Sequence, residues 1–223
     1  MRKVAIILAR GGSKGIKDKN LSKVGKFSLL ARAILAAQKS EIFDDIIVST
    51  DAFSLKNEAL KFGAKVIDRP SDLASDKATS IMAMIHAIDC LNLKDGIAVL
   101  LQPTSPLRDS FHIKEAFNKF EKNKKGSLIS VKKAVHHPYK SLIFKNGKFE
   151  PVNELKDLES PRQILPFAYE PNGAIYINFI SDLLKFKRFF IEPIDIYEMD
   201  EKSSIDIDNP QDLEMANLFA KED

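Results

Sequence analysis

Short apolar runs alternate with amphipathic helical patterns through the first 133 residues, and that succession leaves the chain few architectures. Residues 4–9, Val-Ala-Ile-Ile-Leu-Ala, are apolar without interruption, as a strand buried on both faces requires. Further strand-like runs fall at 46–48, 64–67, 97–101 and 127–131. Between them lie helical patterns: 28–39, with Leu30, Ala33, Ile34 and Ala37 on one face, and 53–62, stopped by Gly63. A third opens at Thr79 or Ser80 with Ile81, Met84, Ile85 and Ile88 inward, and a fourth carries Ile113, Ala116, Phe117 and Phe120. The alternation predicts an α/β fold, a mostly parallel, doubly wound (Rossmann-like) sheet with right-handed connections.

From about 134 to 170 the pattern breaks down. Segments 141–144 and 148–151 flank Asn146-Gly147, a strong hairpin signal, and Pro161, Pro166 and Pro171 interrupt the stretch beyond the hairpin. Strands are expected again at 174–177 and 194–199, then a helix over 210–220. We therefore expect a nucleotide-binding α/β domain formed by 1–133 and 171–223. The 134–170 segment is expected to be a small insertion, packed on the main sheet or on a second subunit.

With 223 residues, 44% of them hydrophobic, the chain can bury one large core. A net charge of only +3 argues against nucleic acid as the main partner, which calls for a strongly basic face. Arg2 and Lys3 precede an apolar run of only six residues, too short for a leader or a membrane span. The single cysteine, Cys90, forms no intramolecular disulfide and sits in an apolar helical stretch, where it reads as a small buried hydrophobe. Cytoplasmic localisation, with no membrane partner, is the expectation.

The first strand ends in Arg10-Gly11-Gly12-Ser13-Lys14-Gly15, with Lys17, Lys19 and Asn20 following. Such a loop offers backbone N–H groups and cations to a polyphosphate. Its order matches neither a Walker loop nor a dinucleotide fingerprint. Other strand ends carry Ser49-Thr50-Asp51 and Gln102-Pro103-Thr104-Ser105, and in an open parallel sheet such ends converge on one crevice. Near the chain's end, Ser204-Ile205-Asp206-Ile207-Asp208 places two carboxylates on one face if extended. Mg²⁺ shared with substrate phosphates is their natural partner; alternatively Asp208 or Asn209 caps the helix that Pro210 begins. His86 and His112 read as structural, His136 and His137 lack a third zinc ligand, and no nucleophilic triad is visible. What remains is positioning and charge neutralisation, the needs of phosphoryl or nucleotidyl transfer. Tyr169, Tyr176, Phe189 and Phe190 form either core or a wall for an organic substrate, with Lys140 and Arg162 available to a carboxylate.

The segment from Ala9 to Gly15, with Lys19-Asn20, resembles the opening motif of bacterial CMP-sialic acid synthetases (N-acylneuraminate cytidylyltransferases). Ser49-Thr50-Asp51, Arg69-Pro70, the run from Leu101 to Arg108, that from Pro171 to Tyr176, and that from Ser204 to Asp208 resemble further blocks of that family in the same order. Leu8 stands where many relatives have proline. The resemblance implies that CTP and N-acetylneuraminic acid give CMP-sialic acid and pyrophosphate, the anomeric oxygen attacking the α-phosphate. It implies that Arg10, Ser13, Lys14 and Lys19 hold the triphosphate, and that Asn20, Arg69, Ala78 and Ser80 contact the nucleoside. Gln102, Lys140, Arg162, Tyr176, Phe189 and Phe190 would surround the sugar acid. Asp206 and Asp208 would bind Mg²⁺, with Arg10, Lys19 and Asp208 the catalytic set. A homodimer is also implied, the 134–170 region lending Lys140 and Arg162 to the partner's site.

Two alternatives stand beside this reading. Legionaminic, pseudaminic or Kdo acids could replace sialic acid as acceptor. More remotely, a GT-A-type glycosyltransferase also pairs a nucleotide-binding sheet with an Asp-x-Asp metal site, although there the aspartates usually follow a mid-sheet strand.

Overall fold

The computed structural model describes residues 1–12 and 15–220. In chain order the strands are β1 (Lys3–Leu8), β2 (Lys23–Val24), β3 (Phe27–Ser28), β4 (Asp45–Thr50), β5 (Lys65–Asp68), β6 (Ile97–Leu101), β7 (Ser127–Lys133), β8 (Leu142–Lys145), β9 (Lys148–Pro151), β10 (Tyr169–Phe179) and β11 (Ile194–Glu198). The helices are α1 (Leu29–Ser40), α2 (Phe53–Lys61), α3 (Ser80–Cys90), α4 (Ser110–Asn123), α5 (Leu155–Glu159), α6 (Ile180–Phe186) and α7 (Pro210–Phe219).

Seven strands form the central sheet in the order β11-β7-β10-β6-β1-β4-β5. Pairing is parallel except at β10, which runs antiparallel to both β6 and β7. The sheet is therefore the expected α/β arrangement with one reversed strand. Alternate side chains of the apolar runs fill two cores. Ala5, Ile7, Val99 and Leu101 pack on one face with α1, α2 and α4, while Val4, Ile6, Ala98 and Leu100 pack on the other with α3 and α6. Burial on both faces is why these strands are apolar at every position.

Local signals fix the helix starts. Ser28 Oγ accepts from the Ala31 N–H at the start of α1. Asp109 accepts from the Phe111 and His112 N–H groups, and His112 Nδ1 accepts from the Asp109 N–H, so His112 is part of a cap. α3 turns further than expected, burying Ala83, Met84, Ala87 and Ile88. Cys90 falls off that stripe and is exposed, contrary to the buried hydrophobe expected of it. Two helices, α5 and α6, were not anticipated, and β10 begins five residues earlier than the run 174–177 suggested.

Within the 134–168 excursion, β8 and β9 form the expected hairpin, with positive φ at both Asn146 (52°) and Gly147 (76°), the signature of a type I′ turn. No helix among the described residues is long and apolar enough to cross a membrane.

Candidate active site

β1 and β6 are neighbours, yet the chain proceeds from β1 toward the β4–β5 edge of the sheet and from β6 toward the β7–β11 edge. Their carboxyl ends therefore open a crevice at a topological switch point. A cavity of about 430 Å³ lies there, lined by Leu8, Arg10, Gly15, Lys19, Asn20, Arg69, Ala78, Ser80, Gln102, Thr104 and Asp208, among others. Eight residues singled out from the sequence thus meet in one place. Ser13 and Lys14 lie outside the described residues.

The opening loop is held against the end of β4. The Gly11 N–H donates to Asp51 Oδ1 at 2.9 Å, and a Cβ on Gly11 would lie 2.7 Å from that of Ala52. Asn20, buried, donates from Nδ2 to the Arg10 carbonyl at 3.0 Å, so part of its role is to shape the loop. Arg10 spans the crevice, Nη1 donating to the Ala74 carbonyl at 3.2 Å and Nη2 pairing with Asp76 at 3.0 Å. Arg69 is nearly buried and donates to Ser49 Oγ at 3.1 Å and to the Ser49 carbonyl at 2.6 Å. Burial presses the Arg69 pKa below its ordinary value, opposed by Asp51 and reinforced by Arg10.

The aspartate loop enters from the opposite side. Ile205 and Ile207 point into a small core with Val24, Leu29 and Ala216, which turns Asp206 and Asp208 outward as alternation predicts. The Ile207 N–H donates to the Thr104 carbonyl at 2.8 Å. Lys19 Nζ donates to the Ile207 carbonyl at 2.7 Å and pairs with Asp208 Oδ1 at 3.2 Å. Asn209, not Asp208, caps α7: its side chain accepts from the Asp212 N–H, and Pro210 occupies the first turn. The Asp208 carboxylate is thereby left to the crevice.

Asp206 is accessible to solvent but crowded by the protein around it. That crowding raises its pKa; a hydrogen bond from Thr104 opposes the rise and the like charge of Asp208 adds to it. Thr104 Oγ1 also stands 3.5 Å from Gln102 Oε1. Tyr176 is near enough to Asp206 to feel its charge, although burial is the larger cause of its raised pKa. Its ring meets those of Phe189 at 5.3 Å and Phe190 at 6.1 Å; neither this trio nor Asp206 is among the residues that line the cavity. Tyr169 lies at the other end of β10, opposite Lys133.

Lys140 and Arg162 do not line the cavity. In the excursion, Lys140 Nζ donates to the Leu158 carbonyl at 3.1 Å, and Arg162 Nη1 reaches the Val135 carbonyl at 3.5 Å. Asn172, to which no role was given from sequence, is buried: it accepts from Ser130 Oγ at 2.6 Å and donates to Ser204 Oγ at 2.9 Å. It braces the irregularity in β10 and ties the aspartate loop to the sheet. Nothing in its local sequence distinguishes such a buried link from a turn residue.

A cation-lined crevice at the carboxyl edge of a doubly wound sheet, faced by a late carboxylate loop, is the equipment of a nucleotidyltransferase. Residues 4–222 match the family model described as Cytidylyltransferase, and the chain belongs to that family. It is 37% identical over 222 residues to an N-acylneuraminate cytidylyltransferase of Escherichia coli O18:K1:H7, covering 96% of this chain but 51% of that protein. The chain thus spans about half the length of that relative. It is 34% identical over 219 residues to the CMP-N,N'-diacetyllegionaminic acid synthase of Campylobacter jejuni, covering 96% and 92%. Among solved structures, a CMP:2-keto-3-deoxy-manno-octonic acid synthetase complexed with CTP has the same fold, with a TM-score of 0.73, 15% identity and full coverage of both chains.

Proposed function

We propose that this chain transfers the cytidylyl group of CTP to the anomeric oxygen of a nine-carbon 2-keto sugar acid, with N-acetylneuraminic acid as the acceptor, releasing pyrophosphate. One observation carries the reading: Arg10, Gly15 and Lys19 of the opening loop and Asp208 of the late loop line a single cavity. Arg10 and Lys19 would hold the triphosphate, Arg10 leaving Asp76 to do so. Asn20, Arg69, Ala78 and Ser80 would bound the nucleoside. Gln102, Tyr176, Phe189 and Phe190 would form the acceptor side.

Asp206 and Asp208 suit Mg²⁺. Both are hard oxygen donors, and Asp208 adds its charge to the rise in the Asp206 pKa. No group of three or more His, Cys, Asp or Glu side chains among the described residues could hold a metal. A two-carboxylate site fits an ion that takes its remaining ligands from phosphates and water. When bound, the ion would neutralise charge on the phosphates during displacement. Asp208 would also accept the proton of the attacking hydroxyl, steadied by Lys19.

The acceptor site would be completed by a second copy of the chain carrying Lys140 and Arg162. In support, the excursion exposes apolar side chains, among them Phe144 (67%), Phe149 (71%) and Phe167 (88%), and exposed apolar surface is what a protein–protein contact covers.

The test is a pyrophosphate-release assay with CTP and Mg²⁺, offering N-acetylneuraminic, legionaminic, pseudaminic and Kdo acids side by side. Release with N-acetylneuraminic acid fastest is expected. Sugar transfer from a CMP- or UDP-sugar without pyrophosphate would overturn the reading.

A further inference from the structure

We propose that Asn172, which lies outside the lining of the crevice, is a positioning residue for the carboxylates of Asp206 and Asp208. Through Ser204 it holds their loop in the shape that Mg²⁺ binding needs. The inference rests on the reading of those two aspartates as metal ligands given above.

Asn172 is 5% exposed, and its neighbours dictate which way its amide faces. The Ala174 N–H donates to Oδ1 at 3.2 Å, which turns Nδ2 the other way, toward Ser204 Oγ at 2.9 Å. Ser130 Oγ accepts from the Ile175 N–H at 2.8 Å and donates to Asn172 Oδ1 at 2.6 Å. Donors and acceptors therefore run in one direction, from β10 through Ser130 and Asn172 to Ser204. Ser130 and Ser204 are buried as well. Hydrogen bonds shielded from water in this way are strong, and a partner left unpaired is costly.

Ser204 is where this network meets the aspartate loop. Residues 205–207 belong to no helix or strand, so Asp206 is placed by the anchors on either side of it. One is the Ser204 hydroxyl; the other is the Ile207 N–H, which donates to the Thr104 carbonyl at 2.8 Å. Asp208 follows the second anchor directly. Two carboxylates so close in sequence repel each other, and a loop fixed at one end only would widen their spacing. With both anchors in place the carboxylates are already ordered, and metal binding need not supply that ordering. The same irregularity of β10 also backs the acceptor side, since a Cβ on Gly173 would stand 3.6 Å from Gln102 Oε1. Truncating Ser204 cuts the network at the loop end and leaves the Gln102 side in place.

The test is a paramagnetic-resonance titration of the full chain with Mn²⁺ in the presence of CTP and without acceptor, run beside steady-state kinetics. Ser204→Ala should weaken Mn²⁺ binding about tenfold, the effect typical of losing a group that orients metal ligands. The Mg²⁺ concentration for half-maximal turnover should rise to match. CTP binding in a chelator, and the acceptor KM at saturating Mg²⁺, should stay within about twofold of the parent, since neither depends on the loop's shape. Asn172→Ala should weaken Mn²⁺ binding at least as much, and adding Ser204→Ala to it should cost nothing further. Parental Mn²⁺ affinity in Ser204→Ala, or a loss of thermal stability with that affinity intact, would overturn the proposal whether or not Asn172→Ala folds. An Asp208→Ala variant that binds Mn²⁺ as the parent does would instead overturn the metal reading itself, and this proposal with it.

Discussion

Gly15 lies against the main-chain carbonyl of Asp208, so close that a methyl group on Gly15 would stand 2.3 Å from that oxygen. The loop after the first strand and the loop before the last helix are thus in direct contact, and only glycine permits the approach. Gly15→Ala should separate the cations from the carboxylates. We expect kcat/KM for pyrophosphate release to fall on the order of a hundredfold, the effect of an ångström-scale displacement of reacting groups. The thermal midpoint should drop by less than about 5 °C, since the contact lies at the crevice and outside the two cores that flank the sheet. Steady-state kinetics and calorimetry on the same preparation check both.

Arg10 is engaged by Asp76 and the Ala74 carbonyl, the position from which it would have to be drawn by a phosphate. Asp76→Asn should therefore tighten CTP binding by about two- to fivefold, the value of an exposed ion pair, whereas Arg10→Ala should weaken it severely. Titration with CTP in the absence of acceptor measures both; weaker binding by Asp76→Asn would contradict the competition.

Asp208 and Asn209 are adjacent but do different work. Asn209→Ala removes the cap of α7 and should cost about 1 kcal/mol of stability with turnover retained. Asp208→Ala should leave stability nearly unchanged and abolish turnover. Denaturant unfolding and activity of the two variants, compared directly, separate the roles.

Asp45 is nearly buried and is paired with both Lys65 and Arg2. Its hydrogen bonds from Lys65 and Arg2, in that order of size, hold its carboxyl below the usual range. A carboxyl depressed in the folded state stabilises the protein above the unfolded value of about 3.9 and loses that contribution as pH falls through the folded value. Asp45→Asn should thus be less stable than the parent by about 1–2 kcal/mol at neutral pH. The gap should begin to narrow as pH falls below about 4 and should close only below the depressed folded value, where the parent is protonated too. Urea midpoints measured between pH 3 and 7 would reveal the convergence.

Strand and helix positions were legible where periodicity is strong. The run 97–101 coincides with β6, and the Asn146-Gly147 hairpin formed as composition dictates. The reversal of β10 was not legible, because Ala174 to Ile177 reads as equally apolar in either direction and pairing is decided by sequence-distant neighbours. Cys90 was misplaced because a helix with small residues at Ala83 and Ala87 turns those toward the sheet, shifting the buried stripe. In the crevice, charged residues at strand ends were legible because their chemistry is unusual there. Asn172 and Asp76 were not, since a buried amide link and a competing counter-ion are properties of tertiary contact alone.

The reversal of β10 has a bearing on divergence. Because this strand runs against β6, the chain re-enters the sheet at the very rim from which the parallel strands depart, so the 134–168 excursion is rooted at the rim where the crevice opens. Drift within that excursion can therefore reshape the surface at this rim while the residues that line the crevice, none of which belongs to it, keep their places.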